Sequence, residues 1–374
     1  MKNGTLCDKR YHALEEAFQE NFVSRGDVGA ALSVVKDGEL VVNLWTGFRD
    51  ANHHLPWEES SLTNIWSTTK GVVAACAALL VDRGQLDYER PVSYYWPDFA
   101  VNGKEQVTVR MLLSHQAGLC GFIEPVKLDM LYDESQAARR LGAMTPIWAP
   151  GDGCGYHAIS VGFLLNELFL RSDGRSIKQF FEQELCEAHD LDIHIGLEPE
   201  SYAYAATMLA APLTSESVMG EELSSAQRAA LTNPPMSPEL PNTAAWRTAQ
   251  IPAANGFATA CSLAELYGAL ANEGRLGGKL LVSPSTIANA TATAVAGFDR
   301  VLSMEVHWAA GFMRNIHGLY GPSNSAFGHS GWGGSFAFAD PERRLGVAYV
   351  MNNMGAELTG DPRNEAIIDA LYAC

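Results

Sequence analysis

The 374-residue sequence has few basic residues and no long hydrophobic run. Its 26 lysines and arginines stand against 43 aspartates and glutamates, which gives a formal net charge of −17. Proteins that bind nucleic acids or anionic membrane surfaces usually carry the opposite balance. The longest apolar stretch, residues 71–81, is about half as long as a membrane-spanning helix. We therefore expect no nucleic acid and no membrane among the partners of this protein.

Cysteine pairs with the spacing of a disulfide framework or a redox motif are also missing. The seven cysteines are odd in number and dispersed, and no C-x-x-C occurs among them. This usage is typical of a reducing compartment. The first 22 residues lack the apolar core of a secretion signal and soon take on the pattern of a charged, amphipathic helix. The two features together predict a cytoplasmic protein.

Several common catalytic and nucleotide-binding signatures are absent. No G-x-S-x-G nucleophile elbow occurs, because the candidate GHSGW has Trp332 where the last glycine should stand. There is no phosphate-binding P-loop and no G-x-G-x-x-G that opens a helix after a strand. The histidines and carboxylates of HDLDIH, residues 189–194, lack a recognisable metal-ligand spacing. A polar loop after a helix explains that segment better than a metal site.

The hydrophobic patterns indicate helices and strands in a particular order. Residues 8–25 predict a helix, and the apolar runs on either side of Asp37-Gly38 predict a β-hairpin. Residues 67–290 are mostly helical in pattern, with a surface excursion rich in Pro, Ser and Glu over residues 199–252. Strands return in the last part of the chain, in HWAAGFM, GSFAFAD and LGVAYVMNN, and a closing helix follows.

This order predicts an α+β protein of the α/β sandwich type. Its simplest arrangement is one antiparallel sheet that is built from both chain ends and flanked by N- and C-terminal helices. Residues 1–66 and 291–374 would form the two parts of this α/β domain, and residues 67–290 an inserted, mainly helical domain. An active site is expected in the cleft between them.

The segment NIWSTTKGVV places Ser67 three residues before Lys70 at the predicted start of an apolar helix. Residues three apart share a helix face, so the two side chains can meet. Lysine is a base only when neutral, and burial and the helix dipole both lower its pKa. The same spacing at Ser33 and Lys36 lies in a predicted strand, where residues three apart point to opposite faces.

The alternative for Ser67 and Lys70 is structural. Asn64 and the Ser-Thr-Thr run are expected to supply oxygens that cap the helix N-terminus. A lysine beside such a cap can simply extend its charge into solvent. From this motif alone both interpretations stay open.

Two further segments could carry chemistry. The glycine-rich loop WAPGDGCGYHAIS, residues 148–160, leads to Tyr156 at the start of the next helix. Such a tyrosine can relay a proton if a nearby cation lowers its pKa, although a packing role is common. In HSGWGG, residues 329–334, the glycines let backbone amides approach a ligand closely, as an oxyanion hole requires. A glycine-rich turn between strands is the alternative there.

These three features, in this order, resemble the serine β-lactamase and penicillin-binding-protein superfamily. S-x-x-K opens the first helix of the helical domain, and Tyr156 matches the tyrosine of the second motif. His329-Ser330-Gly331 stands where the superfamily has Lys-Thr-Gly. The likeness covers essentially the whole chain, including LLSHQAGL, IPAANGFATACSLAELYGAL and DPERRLGVAYVMNN.

Three departures from the lactamase pattern make the sequence most similar to the family VIII carboxylesterases, which hydrolyse esters on a class C β-lactamase-like fold. The second motif, Tyr156-His157-Ala158, has no asparagine in its third place. His329 replaces the lysine of the third motif, which removes a fixed cation that would recognise a carboxylate. The secretion signal of the extracellular lactamases is also missing.

The resemblance implies a serine carboxylesterase that acts on short-chain esters through an acyl-enzyme. Ser67 would be the nucleophile, Lys70 the general base and Tyr156 the proton relay. The backbone amides of Ser67 and Trp332 would form the oxyanion hole.

The resemblance also implies the substrate contacts and partners. His329, Gly331 and Trp332 would line the substrate site, a small-molecule ester would be the partner, and neither a metal nor an organic cofactor is needed. The alternatives on the same scaffold are a β-lactam hydrolase, a D,D-peptidase or an acyltransferase. A non-catalytic binding protein is the alternative from a different functional class.

Overall fold

The two ends of the chain share one sheet. The computed structural model describes residues 6–211 and 223–374. The strands in these ranges are β1 (Leu6–Cys7), β2 (Gly29–Lys36), β3 (Glu39–Gly47), β4 (Thr63–Asn64), β5 (Ile193–Ile195), β6 (Gly256–Ala258), β7 (Arg275–Leu276), β8 (Lys279–Leu280), β9 (Val295–Phe298), β10 (Glu305–Trp308), β11 (Met313–Arg314), β12 (Phe327–Ser330), β13 (Phe336–Asp340) and β14 (Leu345–Met351).

Nine of these strands form the main sheet, in the order β1-β3-β2-β14-β13-β12-β11-β10-β9, with every neighbouring pair antiparallel. The first three come from the start of the chain and the other six from its last third. The two groups join where β2 pairs with β14, from Ala30 opposite Met351 to Lys36 opposite Leu345. The prediction of one antiparallel sheet from both chain ends is confirmed.

The hairpin of β2 and β3 forms as the sequence predicts. Asp37 and Gly38 connect the strands with φ values of 54° and 82°. A two-residue turn of this type needs positive φ at both positions, which the Asp-Gly pair tolerates. Within the hairpin the Ser33 hydroxyl donates to Asn43 Oδ1, whereas the Lys36 ammonium donates to a backbone carbonyl beyond the strand end. The second S-x-x-K match is therefore a coincidence of spacing.

Thirteen α-helices lie in the described ranges: α1 (His12–Ser24), α2 (Thr69–Asp82), α3 (Val92–Tyr95), α4 (Val109–Leu113), α5 (Glu134–Ala143), α6 (Ser160–Ser172), α7 (Ile177–Phe181), α8 (Glu187–His189), α9 (Ser225–Leu231), α10 (Ala244–Thr248), α11 (Ala260–Ala271), α12 (Pro284–Thr291) and α13 (Pro362–Ala373). Helices α1 and α13 pack against each other, and α11 packs across β2, β13 and β14. None of the helices in residues 6–211 and 223–374 has the length and apolarity of a membrane span.

Helix α2 lies at the centre of the helical part. Twelve of its residues, Thr69 to Leu80, are buried, so it presents apolar groups to protein on all sides. A small antiparallel sheet, ordered β4-β6-β5, stands directly before it. The sequence patterns did not predict this sheet, because strands of two or three residues are too short to show an alternation.

Three predictions about elements need correction. The segment VTVRMLLSHQAGL, whose pattern predicts a helix that ends at Gly118, is helical only from Val109 to Leu113, and HWAAGFM is split between β10 and β11 by a turn. The surface excursion at 199–252 contains α9 and α10, and Trp246 of α10 is fully buried. Residues 212–222 of that excursion lie outside the described residues. Short helices of this kind are held by packing rather than by a periodic apolar face.

Candidate active site

Ser67 lies in a tight turn between β4 and α2. Between residues 61 and 80 it is the one residue that is not fully buried. The preceding residue, Trp66, has a φ of 44°, a left-handed conformation that is costly for a bulky side chain. Its ring is held by packing against Trp246 and Trp332, with centroids 5.3 and 5.0 Å away. This packing imposes the turn that exposes the Ser67 side chain.

The expected capping role of the residues around Ser67 is wrong. Helix α2 begins at Thr69, two residues later than predicted, and the side chain of its N-cap residue, Thr68, makes no capping hydrogen bond. Thr68 Oγ1 is instead 3.2 Å from the hydroxyl of Ser335, and Asn64 Oδ1 accepts from the Trp66 amide. The amides of the first helical turn donate to carbonyls of the preceding turn, so they need no side-chain cap.

The side chain of Lys70 is buried beside Ser67. Its Nζ lies 3.0 Å from Ser67 Oγ, 2.6 Å from the carbonyl oxygen of Ala158 and 2.8 Å from that of Ala253. Burial holds the pKa of Lys70 well below its ordinary value. A neutral amine has two hydrogens and one lone pair. If the two carbonyls accept the hydrogens, the lone pair faces the Ser67 hydroxyl, as a general base requires.

Tyr156 lies on the loop before α6, which begins at Ser160, and not on the helix as predicted. Lys70 Nζ is 4.8 Å from the centroid of its ring. Burial raises the pKa of Tyr156, and a hydrogen bond with Ser67 opposes this shift only in part. The condition for a relay by a tyrosine of lowered pKa, a nearby cation that lowers it, is therefore not met at Tyr156, because burial outweighs the hydrogen bond with Ser67 and no cation contributes. Tyr156 keeps its proton and can donate it.

The buried carboxylate of Asp299 holds Tyr156 in place. It accepts hydrogen bonds from the amides of Tyr156, Val301 and Leu302, each at 2.9 Å, and from Trp308 Nε1 at 3.1 Å. The Trp308 ring stacks on the Tyr156 ring, with an interplanar angle of 6°. Asp299 thus fixes both the tyrosine loop and the aromatic wall behind it. Sequence reasoning missed this residue, because a single aspartate far along the chain gives no motif.

Two neutral histidines, His157 and His115, form buried hydrogen bonds that hold the loop of Tyr156. His157 Nδ1 lies 2.7 Å from the Gly155 carbonyl oxygen, to which it donates, and its Nε2 accepts from the Leu119 amide. His115 Nδ1 accepts from the His157 amide. Burial lowers the pKa of His157 to about 4, and burial followed by the nearby imidazoles and Lys70 lowers the pKa of His115 well below its ordinary value. A proton on either accepting nitrogen would break the hydrogen bond that it accepts.

We expect the stability of the protein to fall in acid partly because of His157. Its folded-state pKa of about 4 lies below the ordinary value of 6.5, so the unfolded chain binds the proton first. The resulting stabilisation is complete above pH 6.5 and is lost as the pH falls towards 4, by about 1 kcal/mol per pH unit. Urea unfolding at pH 7, 6 and 5 should therefore show a shallower decline for His157→Gln than for the wild type.

The control for this measurement is Ser160→Ala, which removes a hydroxyl that donates to the Leu119 carbonyl oxygen near His157 and leaves every titratable group in place. Its decline between pH 7 and 5 should match that of the wild type. Equal slopes for His157→Gln and the wild type would contradict the assigned tautomer and burial.

His329, at the end of β12, faces the same cavity as Ser67 and Tyr156. Its Nδ1 lies 2.8 Å from the Ser330 carbonyl oxygen, and its buried Nε2 has no hydrogen-bond partner among the described residues. Burial and, second, the nearby Lys70 lower the pKa of His329 to about 3. The imidazole is therefore neutral at physiological pH and offers an acceptor, not a cation.

The segment after His329 comes very close to the Ser67 turn. A Cβ on Gly331 would lie 2.3 Å from the Ile65 carbonyl oxygen, so only glycine fits there. Ser335 Oγ donates to the same carbonyl at 2.9 Å. Within the described residues, neither the Ser67 amide nor the Trp332 amide donates a backbone hydrogen bond. These two free N–H groups have the character that an oxyanion hole requires.

A buried arginine anchors the other side of this segment. Arg363 Nη2 donates to the Gly333 carbonyl oxygen at 2.7 Å. The guanidinium also forms buried ion pairs with Asp27, at 2.9 Å, and with Asp361, at 2.6 Å. Helix α13 and the strand β2 region therefore both hold the loop that carries Trp332.

The structure brings Ser67, Lys70, Tyr156, His329 and Trp332 together. Gly331, which was also expected to line the substrate site, packs against the Ile65 carbonyl oxygen and is not part of the cavity lining. The cavity has a volume of about 20 Å³ and is lined by Ser67, Tyr156, Trp308, His329, Trp332 and neighbouring apolar groups. Lys70 lies beneath Ser67, outside the cavity lining. Groups of three or more His, Cys, Asp or Glu side chains that could hold a metal ion do not occur in residues 6–211 and 223–374.

Comparisons with known proteins show the family and the fold of the chain. The model of the family described as Beta-lactamase matches residues 13–372. The esterase/beta-lactamase LipL of Mycobacterium tuberculosis is 34% identical over 362 residues, which are 93% of this chain and 82% of LipL. A crystal structure of a family VIII carboxylesterase has a TM-score of 0.95 at 39% identity. A penicillin-binding protein homolog from Caulobacter crescentus has 0.93 at 42%, and both structures cover 100% of both chains.

Proposed function

The chain belongs to the beta-lactamase family, and we propose that it is a serine carboxylesterase that hydrolyses short-chain esters through an acyl-enzyme on Ser67. Ester hydrolysis is supported by the relatives, of which one is an esterase/beta-lactamase and another a family VIII carboxylesterase. The observation that carries the proposed mechanism is the 3.0 Å approach of Lys70 Nζ to Ser67 Oγ in a buried site. No carboxylate pairs with this lysine among the described residues, so nothing there keeps it charged.

In the acylation step, Ser67 Oγ attacks the ester carbonyl carbon while Lys70 takes the hydroxyl proton. The carbonyl oxygen becomes an oxyanion, which the amides of Ser67 and Trp332 would stabilise. One such donor contributes about 3 to 4 kcal/mol to transition-state stability. Tyr156, which hydrogen-bonds to Ser67, gives its proton to the leaving alcohol and is reprotonated from Lys70. The products of this step are the free alcohol and the acyl-serine.

In the deacylation step, water attacks the acyl carbonyl from the cavity. Its proton passes to the Tyr156–Lys70 pair, and Ser67 Oγ leaves with a proton from the same pair. The carboxylic acid is released and the starting protonation states are restored. The raised pKa of Tyr156 suits this role, because a tyrosine that stays protonated between steps is ready to donate.

The neutral state of His329 supports an ester over a β-lactam as substrate. In the lactamase pattern, a lysine at this position supplies a cation for the substrate carboxylate. His329 is buried, and its pKa of about 3 keeps it uncharged. An ester without a carboxylate needs no such cation. A β-lactam hydrolase remains the second candidate because a penicillin-binding protein homolog has almost the same fold at 42% identity.

A comparison of two chromogenic substrates tests this proposal. We expect kcat/KM for p-nitrophenyl acetate to exceed that for nitrocefin by at least about tenfold, since one lost ion pair of this kind costs more than about 1.4 kcal/mol. A fluorophosphonate probe should add its mass to the peptide that contains Ser67 and to no peptide that contains Ser33. Equal or faster nitrocefin turnover would favour the lactamase, and no labelling of Ser67 would favour a binding protein.

We also propose that the protein works in a reducing compartment such as the cytoplasm. All seven cysteines are free thiols in the structure. Burial raises the pKa of Cys120 to about 12 and that of Cys154 also to about 12, which keeps both thiols protonated and unreactive.

A further inference from the structure

A second, larger cavity opens beside the small cavity over Ser67. It has a volume of about 370 Å³ and lies between the β10–β11 hairpin, residues 316–320 and helix α13. Met313, Ser330 and Thr359 line both cavities, so the two adjoin through these three residues. We call the larger cavity the side chamber. Its size lies in the range that binds small ligands, whereas the cavity over Ser67 holds little more than one water molecule.

The inner wall of the side chamber is apolar. It is formed by Met304, Val306, Ile316, Leu319, Phe336 and Ile368. Such a wall favours a hydrocarbon body and gains free energy as that body leaves water. The larger part of a substrate whose carbonyl carbon lies at Ser67 can therefore extend into this chamber.

The polar groups of the side chamber comprise three carboxylates, the hydroxyls of Tyr320, Ser330 and Thr359, the imidazole of His317 and the amide of Asn364. Asn364 is only 7% exposed, and its Oδ1 is buried with no hydrogen-bond partner among the described residues. Three carboxylates, from Glu305, Glu365 and Asp369, stand at the exposed rim. The ion pairs recorded for residues 6–211 and 223–374 involve none of the three.

The carboxylates of the side chamber are not balanced by positive side chains among its described lining residues. Among residues 6–211 and 223–374, no lysine or arginine lines the chamber, and the one basic residue that does, His317, is exposed. A carboxylate on a substrate would meet three like charges at the rim. A cationic nitrogen would meet the opposite charges there.

We propose that the side chamber is a specificity site for esters whose larger part is an apolar body that bears a cationic nitrogen. The apolar wall would hold the body, the rim carboxylates would hold the cation, and anionic esters would be excluded. This inference rests on the proposed ester hydrolysis at Ser67, which supplies the reaction, and adds the substrate class.

Two series of isosteric esters test the proposal with the whole protein. One series carries the charge on the alcohol: 2-(trimethylammonio)ethyl butyrate against 3,3-dimethylbutyl butyrate and a carboxylate-bearing butyrate. The other carries it on the acyl chain, as p-nitrophenyl esters of 4-(trimethylammonio)butanoate and 5,5-dimethylhexanoate. In at least one series we expect kcat/KM for the cationic ester to exceed that for its neutral isostere about tenfold. In the alcohol series, the carboxylate-bearing ester should be hydrolysed most slowly. Added salt should reduce this preference.

Two double variants distinguish an effect of the rim carboxylates on the substrate preference from an effect of the protein's net charge. Glu365→Gln with Asp369→Asn should strongly reduce the cationic preference, which is the ratio of kcat/KM for the cationic ester to that for its neutral isostere, because only Glu305 of the three rim carboxylates remains. Glu39→Gln with Asp98→Asn removes the same charge from exposed positions outside the chamber and should preserve the preference. An equal loss in both double variants would overturn the proposal, because the preference would then come from the net charge.

The other outcomes are also decisive. If the wild type hydrolyses the neutral esters and shows no cationic preference in either series, the side-chamber inference is wrong and the proposed function stands. If the wild type hydrolyses none of the esters and a fluorophosphonate does not label Ser67, the proposed function fails and the inference fails with it.

Discussion

Replacement of Ser67 by alanine is expected to abolish ester hydrolysis, with a loss in kcat of at least about 10⁴-fold. The alanine removes the one oxygen that would form the acyl-enzyme. It should not unfold the protein, because Ser67 Oγ caps no helix and its side chain is partly exposed. Initial rates with p-nitrophenyl acetate measure the loss, and a thermal melt followed by circular dichroism should show a Tm close to that of the wild type.

Ser33→Ala is the matched control for this experiment. Ser33 belongs to the second S-x-x-K match, and its hydroxyl donates to Asn43 Oδ1 inside the sheet. Its loss should lower the free energy of unfolding by about 1 kcal/mol and leave kcat/KM unchanged. If Ser67→Ala kept more than a few per cent of the wild-type rate, Ser67 could not be the nucleophile.

Replacement of Lys70 by methionine is expected to be nearly as damaging. Methionine fills a similar volume but offers no lone pair to the Ser67 hydroxyl, so the serine would have to attack without a base. A base of this kind typically contributes 10²- to 10⁴-fold to the rate. Single-turnover measurements with p-nitrophenyl acetate should show the loss already in the acylation step, since Lys70 lies 3.0 Å from Ser67 Oγ before any substrate binds.

The chain contains an unusually close control for this variant. Lys104 is also buried, and its Nζ donates to the carbonyls of Val101 and Met144 at 2.7 and 2.6 Å. It therefore repeats the two carbonyl contacts of Lys70 but has no serine beside it. Lys104→Met should change stability and leave kcat/KM intact. A similar loss of activity in both variants would show that Lys70 acts through stability rather than as a base.

The parts of the site that follow from local chemistry could be predicted from the sequence. The Asp37-Gly38 turn indicated the hairpin, and the hairpin places Ser33 and Lys36 on opposite faces of a strand. The apolar helix after Ser67 indicated that Lys70 is buried, and burial alone lowers its pKa. These predictions succeeded because a turn type and a helix face depend on residues that are close in the sequence.

The parts that depend on distant contacts could not be predicted. The carbonyls that hold Lys70 belong to Ala158 and Ala253, and a backbone carbonyl has no signature in the sequence. The capping role expected for Thr68 failed because Ser335, 267 residues away, lies within reach of its hydroxyl. Asp299 was missed for the same reason, since it reaches Tyr156 across 143 residues. Tertiary contacts override local preferences at these positions.

The pairing of β2 with β14 also bears on how the protein is made. Lys36 and Arg343, which meet at the end of this pairing, are 307 residues apart. At roughly 5 to 20 residues per second, a ribosome needs about 15 to 60 s to add the partner strand after β2 has emerged. During that time the apolar edge of β2 has no strand beside it, which invites pairing with other chains. During the same delay the Trp332 amide, which we propose as an oxyanion-hole donor, is not yet beside the Ser67 turn. On the proposed mechanism, a nascent chain can therefore acquire esterase activity only once its last third has been synthesised.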